Sequence, residues 1–140
     1  MNNDSRVTEN LLKDGSTLVF LKKRYLSKET KEQLDWVLSC MKDSILIVPT
    51  LPGSGKPDML ERDDGARFLP VFSNMGEIPA DYADEFILKE MDIEACLELM
   101  RETEGCRGLA LDGLTEPLVL ESNLAESIRT KPSRKEEGSV

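Results

Sequence analysis

A glycine-rich segment is the best candidate in the sequence for a chemical site. Pro52-Gly-Ser-Gly-Lys56 places two glycines before a lysine, and such glycines can free backbone N–H groups to surround a phosphate. The phosphate-loop pattern fails on both sides, because Thr50 stands where its first glycine belongs and Pro57 where a magnesium-binding Ser or Thr belongs. Pro57 also has no backbone N–H to donate. We therefore interpret the segment as a flexible loop and not as a nucleotide site.

Acidic residues after this loop are candidate ligands for a divalent cation, because hard cations take several oxygen ligands. The four carboxylates are Asp58, Glu61, Asp63 and Asp64. Their spacing does not follow the calcium-loop pattern, and aspartate is common in turns. We expect a solvated loop here and no metal.

The absence of histidine excludes several catalytic classes. With no histidine in the chain, Ser-His-Asp and Cys-His catalysis and imidazole-based zinc sites have no basis. The three cysteines, Cys40, Cys96 and Cys106, are widely spaced and form no C-x-x-C pair, so we expect structural thiols and not a disulfide framework. The sequence thus predicts no catalytic residues and no cofactor, and it favours a protein that is not an enzyme.

The remaining polar candidates cluster around two predicted loops, at 50–65 and at 73–78. We interpret six of these residues as a ligand- or partner-binding set: Lys56, Arg62, Asp64, Arg67, Ser73 and Asn74. The alternative for Ser73 and Asn74 is an ordinary strand end followed by a turn, since turns commonly use these residue types.

Composition and charge limit the class of protein. The 140 residues are 39% hydrophobic and 32% charged, with a net charge of −9, which is typical of one globular domain. The negative charge disfavours nucleic-acid binding, and no apolar run is long enough to cross a membrane. A polar N-terminus without a signal-peptide pattern predicts a cytoplasmic location. The run of three basic residues Lys22-Lys23-Arg24 is predicted to be a solvated face. The oligomeric state stays open.

Periodicity predicts one folded domain over 16–130, preceded by a flexible lead-in at 1–15 and followed by a disordered tail at 131–140. Ser16, Ser27 and Asn123 are predicted to cap three of its helices. Asp92 is predicted to cap a fourth helix, which Gly105 ends.

Apolar runs predict about five strands in a mixed sheet with helices packed against it, an α+β fold. Four of the predicted strands are 44–49, 67–72, 107–111 and 118–120, and the first of them is predicted to be buried. The segment 86–91 is ambiguous between strand and helix, and we predict a strand, which would make the next helix a crossover into 107–111.

The order of these segments resembles the N-terminal domain of the SseB-like (enhanced serine sensitivity) family. The resemblance rests on Ser44-Ile-Leu-Ile-Val-Pro49, on Asp64-Gly65 leading into Phe68-Leu-Pro-Val-Phe-Ser73, and on Gly108-Leu-Ala-Leu-Asp112. It covers about residues 17–130, with Asp112-Gly113 where the family has Asn-Pro. The resemblance implies the fold and a bacterial cytoplasmic protein, and it implies no active site.

Two functions therefore stay open. The first is a noncatalytic interaction or regulatory module that recognises a protein or peptide through a sheet edge or through the loops at 50–65 and 73–78. The alternative is a small-molecule binder, or a weak enzyme, that acts on an amino acid or a phosphorylated metabolite.

Overall fold

The structure, a computed structural model, describes residues 15–133. The predicted lead-in therefore lies outside the described residues except for Gly15, and so does the predicted tail beyond Ser133. Helices and strands are interspersed, which confirms the α+β class. Within the described residues no helix is both long enough and apolar enough to cross a bilayer.

Two long helices open the domain. Helix α1 spans Ser16–Ser27 and α2 spans Lys31–Asp43. The predicted caps are wrong: Gly15, with no side chain, precedes α1, and Thr30 caps α2 by accepting a hydrogen bond from the N–H of Gln33. Ser27 instead ends α1, because that helix is longer than its apolar pattern indicated.

Six strands form two sheets, which corrects the prediction of one sheet of about five strands. Strands β1 (Leu46–Thr50) and β4 (Ile87–Met91) pair antiparallel in the smaller sheet. The larger sheet has the order β2-β3-β5-β6 and contains Leu60–Glu61, Arg67–Val71, Cys106–Leu111 and Leu118–Glu121. Strand β2 lies inside the predicted loop at 50–65. Two residues are too short to give a periodic signal.

An isolated β-bridge joins the two sheets. The backbone groups of Ile47 and Phe72 exchange hydrogen bonds of 3.0 and 2.8 Å. The Phe72 ring is fully buried with Ile47 and Ile78 in a small apolar cluster. Burial of such a ring contributes about 1.5–3 kcal/mol, so this cluster stabilises the junction between the sheets.

The prediction of a strand at 86–91 is confirmed, but the predicted crossover is wrong. Strand β4 pairs with β1 and not with β5, so the connection between the parallel strands β3 and β5 contains β4 and the helices on either side of it. Helix α3 (Ala80–Ala83) is a single turn, and α4 spans Ile93–Glu102. The prediction for its N-terminus holds: the Asp92 carboxylate accepts a hydrogen bond from the N–H of Ala95 at 2.9 Å.

The described chain ends with a short helix, α5 (Ser122–Glu126), followed by a 3₁₀ turn at Ser127–Thr130. Asn123 does not cap α5. It lies within the helix, and its side chain accepts a hydrogen bond from the N–H of its neighbour Leu124. Lys131 then donates a hydrogen bond to Asp35 on α2 at 3.0 Å.

Candidate functional site

Ser73 and Asp112 meet because they follow two parallel neighbouring strands. Strand β3 ends at Val71 and β5 ends at Leu111, and these two residues lie opposite each other in the ladder. The chain therefore leaves both strands at the same edge of the sheet, where polar residues of α/β sheets commonly converge.

The Asp112 carboxylate is the centre of a hydrogen-bond network. It accepts the backbone N–H of Ser73 on Oδ1 and the Ser73 hydroxyl on Oδ2, both at 2.8 Å. Lys22 Nζ donates to Oδ2 at 2.8 Å and to the carbonyl oxygen of Glu116 at 2.6 Å. Asp112 has a positive φ of 53°, a conformation that aspartate tolerates better than most residues. The Asp112 carboxylate thus joins α1 and the turn after β3 to its own turn after β5.

Lys22 is fully buried, which corrects the prediction that the run of basic residues at 22–24 is a solvated face. Its side chain has no exposed surface, whereas Lys23 and Arg24 are exposed. The sequence contained a signal for this, because Lys22 lies four residues after Leu18 and therefore on the same helix face as that buried leucine. A buried ammonium group requires a carboxylate partner, and Asp112 provides it.

Burial raises the pKa of the Asp112 carboxyl, while the hydrogen bonds from Lys22 and Ser73 oppose that shift. The carboxylate is desolvated, but it accepts three hydrogen bonds at 2.8 Å. Its charge is therefore compensated inside the fold rather than by water.

The network closes at the surface through Glu77 and Thr115. Thr115 Oγ1 donates to Glu77 Oε1 at 2.6 Å, and Glu77 Oε1 lies 3.9 Å from Lys22 Nζ. This bond joins the 3₁₀ turn Met75–Glu77 to the turn that follows β5. The two turns expose apolar side chains, with Met75 56% exposed and Leu114 38% exposed.

Because Lys22, Ser73 and Asp112 are all buried, the network has no access for a substrate. A nucleophile or general base must reach a reacting atom at about 2.6–3.2 Å, and the hydrogen bonds of these side chains go to one another and to the Glu116 carbonyl oxygen. The arrangement acts as a clamp on α1 and the two turns. We call Lys22, Ser73 and Asp112 the buried clamp.

Two of the predicted binding residues, Lys56 and Arg67, line one open cavity of about 520 Å³. The loop at 51–57 forms one wall, and the C-terminal end of α4 contributes Leu99 and Glu102. Ser73, in the buried clamp, does not line this cavity. The predicted set is therefore divided between different places in the fold.

The other predicted residues lie apart from the cavity lining. Arg62 and Asp64 pair with each other at 3.1 Å on an exposed turn, where Asp64 also accepts the N–H of Ala66. Those contacts, first the Ala66 hydrogen bond and then Arg62, lower the pKa of Asp64. Asn74 is half-buried and begins the turn at 75–77. None of these three lines the cavity.

The backbone of the glycine-rich loop is used internally. Gly55 donates its N–H to the carbonyl oxygen of Leu51 at 2.9 Å, and Lys56 donates its N–H to the Ser54 hydroxyl at 3.2 Å. These two N–H groups are therefore engaged within the loop.

The acidic cluster is likewise dispersed. The Asp58 carboxylate accepts a 2.6 Å hydrogen bond from the hydroxyl of Tyr82, and Asp64 pairs with Arg62. Among residues 15–133, no three His, Cys, Asp or Glu side chains are grouped so that they could hold a metal ion.

The cysteines are free thiols. Burial raises the pKa of Cys40 to about 11 and that of Cys96 to about 12. Both therefore stay protonated near neutral pH and are poor nucleophiles, which agrees with the predicted structural role.

No family model, curated protein or solved structure gives a significant match to this chain.

Proposed function

We propose that this chain is a noncatalytic interaction module, similar to the N-terminal domain of SseB-like proteins, that binds another protein. One observation supports it most strongly. The residues of the buried clamp join the turns after β3 and β5, whereas the exposed residues on the same turns include the apolar Met75 and Leu114. The polar groups thus hold the surface in place, and the apolar groups are free to contact a partner. The resemblance also favours a bacterial cytoplasmic protein.

A held surface binds more tightly than a flexible one. Ordering a loop or side chain on binding costs free energy, about 0.5–1.5 kcal/mol for each immobilised side chain. The hydrogen bonds that Ser73 donates to Asp112 and that Thr115 donates to Glu77 fix both turns before a partner arrives. Apolar side chains at the centre of such a surface are typical anchors of protein interfaces.

The double variant Met75→Asp/Leu114→Asp tests this proposal. We expect the immobilised wild-type domain to retain a reproducible set of proteins from a native lysate at low and moderate salt, because an apolar contact is weakly screened. The double variant is expected to lose that set. Quantitative mass spectrometry of the retained proteins measures the difference.

Ile87→Asp is the matched control, since Ile87 is 51% exposed but lies on β4, outside the two turns. It should retain the same proteins as the wild type. Equal retention by the wild type and the double variant would contradict the proposal that the two turns form the partner-binding surface. No reproducible retention at all would contradict the proposal of an interaction module.

A second candidate function is favoured by the cavity that Lys56 and Arg67 line. Its volume of about 520 Å³ lies in the range of ligand sites, about 300–1,000 Å³. The ligand classes are an amino acid or a phosphorylated metabolite. Either would raise the melting temperature by mass action, and a flat response across both classes would remove the support for this function.

A further inference from the structure

The cavity beside α4 contains charged side chains of both signs. Lys56 and Arg67 bring two positive charges, and Glu102 and Glu104 bring two negative ones. Within residues 15–133, none of these four side chains forms an ion pair or a hydrogen bond. Elsewhere on the surface, charges such as Arg101 and Glu126 are paired, at 2.8 Å.

The C-terminal end of a helix adds to the negative charge at the cavity. Helix α4 ends at Glu102, and the lining continues through Thr103 to Glu104. The last carbonyl groups of a helix carry a partial negative charge, which favours a cation there. The Leu99 carbonyl oxygen is already occupied by the N–H and hydroxyl of Thr103, so the carboxylates of Glu102 and Glu104 are the available acceptors.

The lining of the cavity is partly apolar. Leu51, Met59 and Leu99 line the same cavity, and Met59 and Leu99 are half-buried. Burial of an aliphatic group there contributes about 25 cal/mol per Å² removed from water. The cavity therefore offers an anion-binding group, a cation-binding group and an apolar surface together.

We propose that this cavity binds a zwitterionic ligand with an aliphatic side chain, either a free amino acid or a dipeptide. Lys56 and Arg67 hold the carboxylate, Glu102 and Glu104 hold the ammonium group, and Leu51, Met59 and Leu99 contact the side chain. A phosphorylated metabolite fits less well, because its two negative charges face two carboxylates and the carbonyl end of α4. This inference rests on the second candidate function, small-molecule binding.

Isothermal titration calorimetry on the purified chain at low ionic strength tests the proposal. The probes are leucine and alanyl-leucine, which separate the two sources of the ligand, and glycerol phosphate as the phosphorylated compound. Leucinamide lacks the carboxylate and N-acetyl-leucine lacks the ammonium group. We expect binding of leucine or of alanyl-leucine, and affinity at least about tenfold lower for leucinamide and N-acetyl-leucine, since each loses a charge-assisted hydrogen bond.

Protein variants assign each end of the ligand. Arg67→Met is expected to lower the affinity for the zwitterion about tenfold and to leave the binding of leucinamide unchanged. Glu102→Gln/Glu104→Gln is expected to lower the affinity for the zwitterion about tenfold and to leave the binding of N-acetyl-leucine unchanged. Lys89→Met, on exposed β4 outside the cavity, is the matched control and should bind as the wild type does.

The outcomes separate the inference from the function on which it rests. Binding of glycerol phosphate without either zwitterion would overturn the inference and leave small-molecule binding intact. No binding of any probe would overturn both. Zwitterion binding that Arg67→Met and the glutamine variants leave unchanged would overturn the assignment to this cavity.

Discussion

Replacing Lys22 by methionine is expected to destabilise the domain by about 3–5 kcal/mol. Methionine fills a similar volume, but the Asp112 carboxylate is left buried without its cation and loses its 2.8 Å ion pair. The Glu116 carbonyl oxygen also loses its donor. Denaturant unfolding of the wild type and the variant measures the difference in free energy.

Two further variants separate the ion pair from the volume change. Lys23→Met alters the exposed neighbour on the same helix and is expected to stay within about 0.5 kcal/mol of the wild type. The double variant Lys22→Met/Asp112→Asn should recover part of the loss, because no charge is left buried and Asn still accepts the N–H of Ser73. A double variant no more stable than Lys22→Met would contradict the ion-pair explanation.

The loss caused by Lys22→Met should also depend on pH. Burial already raises the pKa of Asp112 in the folded state, and removal of Lys22 removes an interaction that opposes this shift. In the folded variant Asp112 keeps its proton at pH values where the unfolded chain, with a pKa of about 4, has released it. The stability of the variant therefore falls as pH rises from about 4 through the raised pKa of the folded state. We expect a smaller difference between variant and wild type near pH 5 than near pH 8.

Gly15→Ala is expected to destabilise the domain by about 2–5 kcal/mol. Gly15 has a φ of +79°, and a Cβ there would overlap the carbonyl oxygen of Ser73. Alanine would therefore both strain the backbone and displace α1 from the turn that it contacts. Thermal and denaturant unfolding measure the effect.

Gly53→Ala is the matched control for that substitution. Gly53 has a similar φ of +91°, but no atom lies within 4 Å of the position of a Cβ. Alanine at position 53 therefore adds backbone strain but no overlap, and we expect it to lower stability by about 1–2 kcal/mol. If both variants lost equal stability, the contact between Gly15 and Ser73 would have no energetic role.

The sequence was most informative where local periodicity determined the structure. Helix α4 and the Asp92 cap follow from one apolar face and one side-chain hydrogen bond, both of which are local. The caps at Ser16, Ser27 and Asn123 were wrong, because the bounds of those helices depend on contacts that the local pattern does not contain. The division into two sheets depends on the pairing of β1 with β4, which lie far apart in the chain.

The buried clamp was less predictable for the same reason. Ser73 was among the predicted binding residues, but its partner Asp112 lies 39 positions away and Lys22 lies 90 positions from Asp112. Only the parallel pairing of β3 and β5 brings the first two together. The position of Lys22 on an apolar helix face was the one available signal. Its two basic neighbours, Lys23 and Arg24, suggested a solvent-exposed face instead.

Chemical labelling of lysine amines is the most direct test of the account, whose central claim is that the converging polar residues are a buried clamp and not an accessible site. The native protein is treated briefly with an amine-reactive ester, digested and analysed by mass spectrometry, with unfolded protein as the reference. We predict that Lys22 is protected in the native protein while its exposed neighbour Lys23 reacts, and that both react after unfolding. Native labelling of Lys22 at the rate of Lys23 would contradict the account.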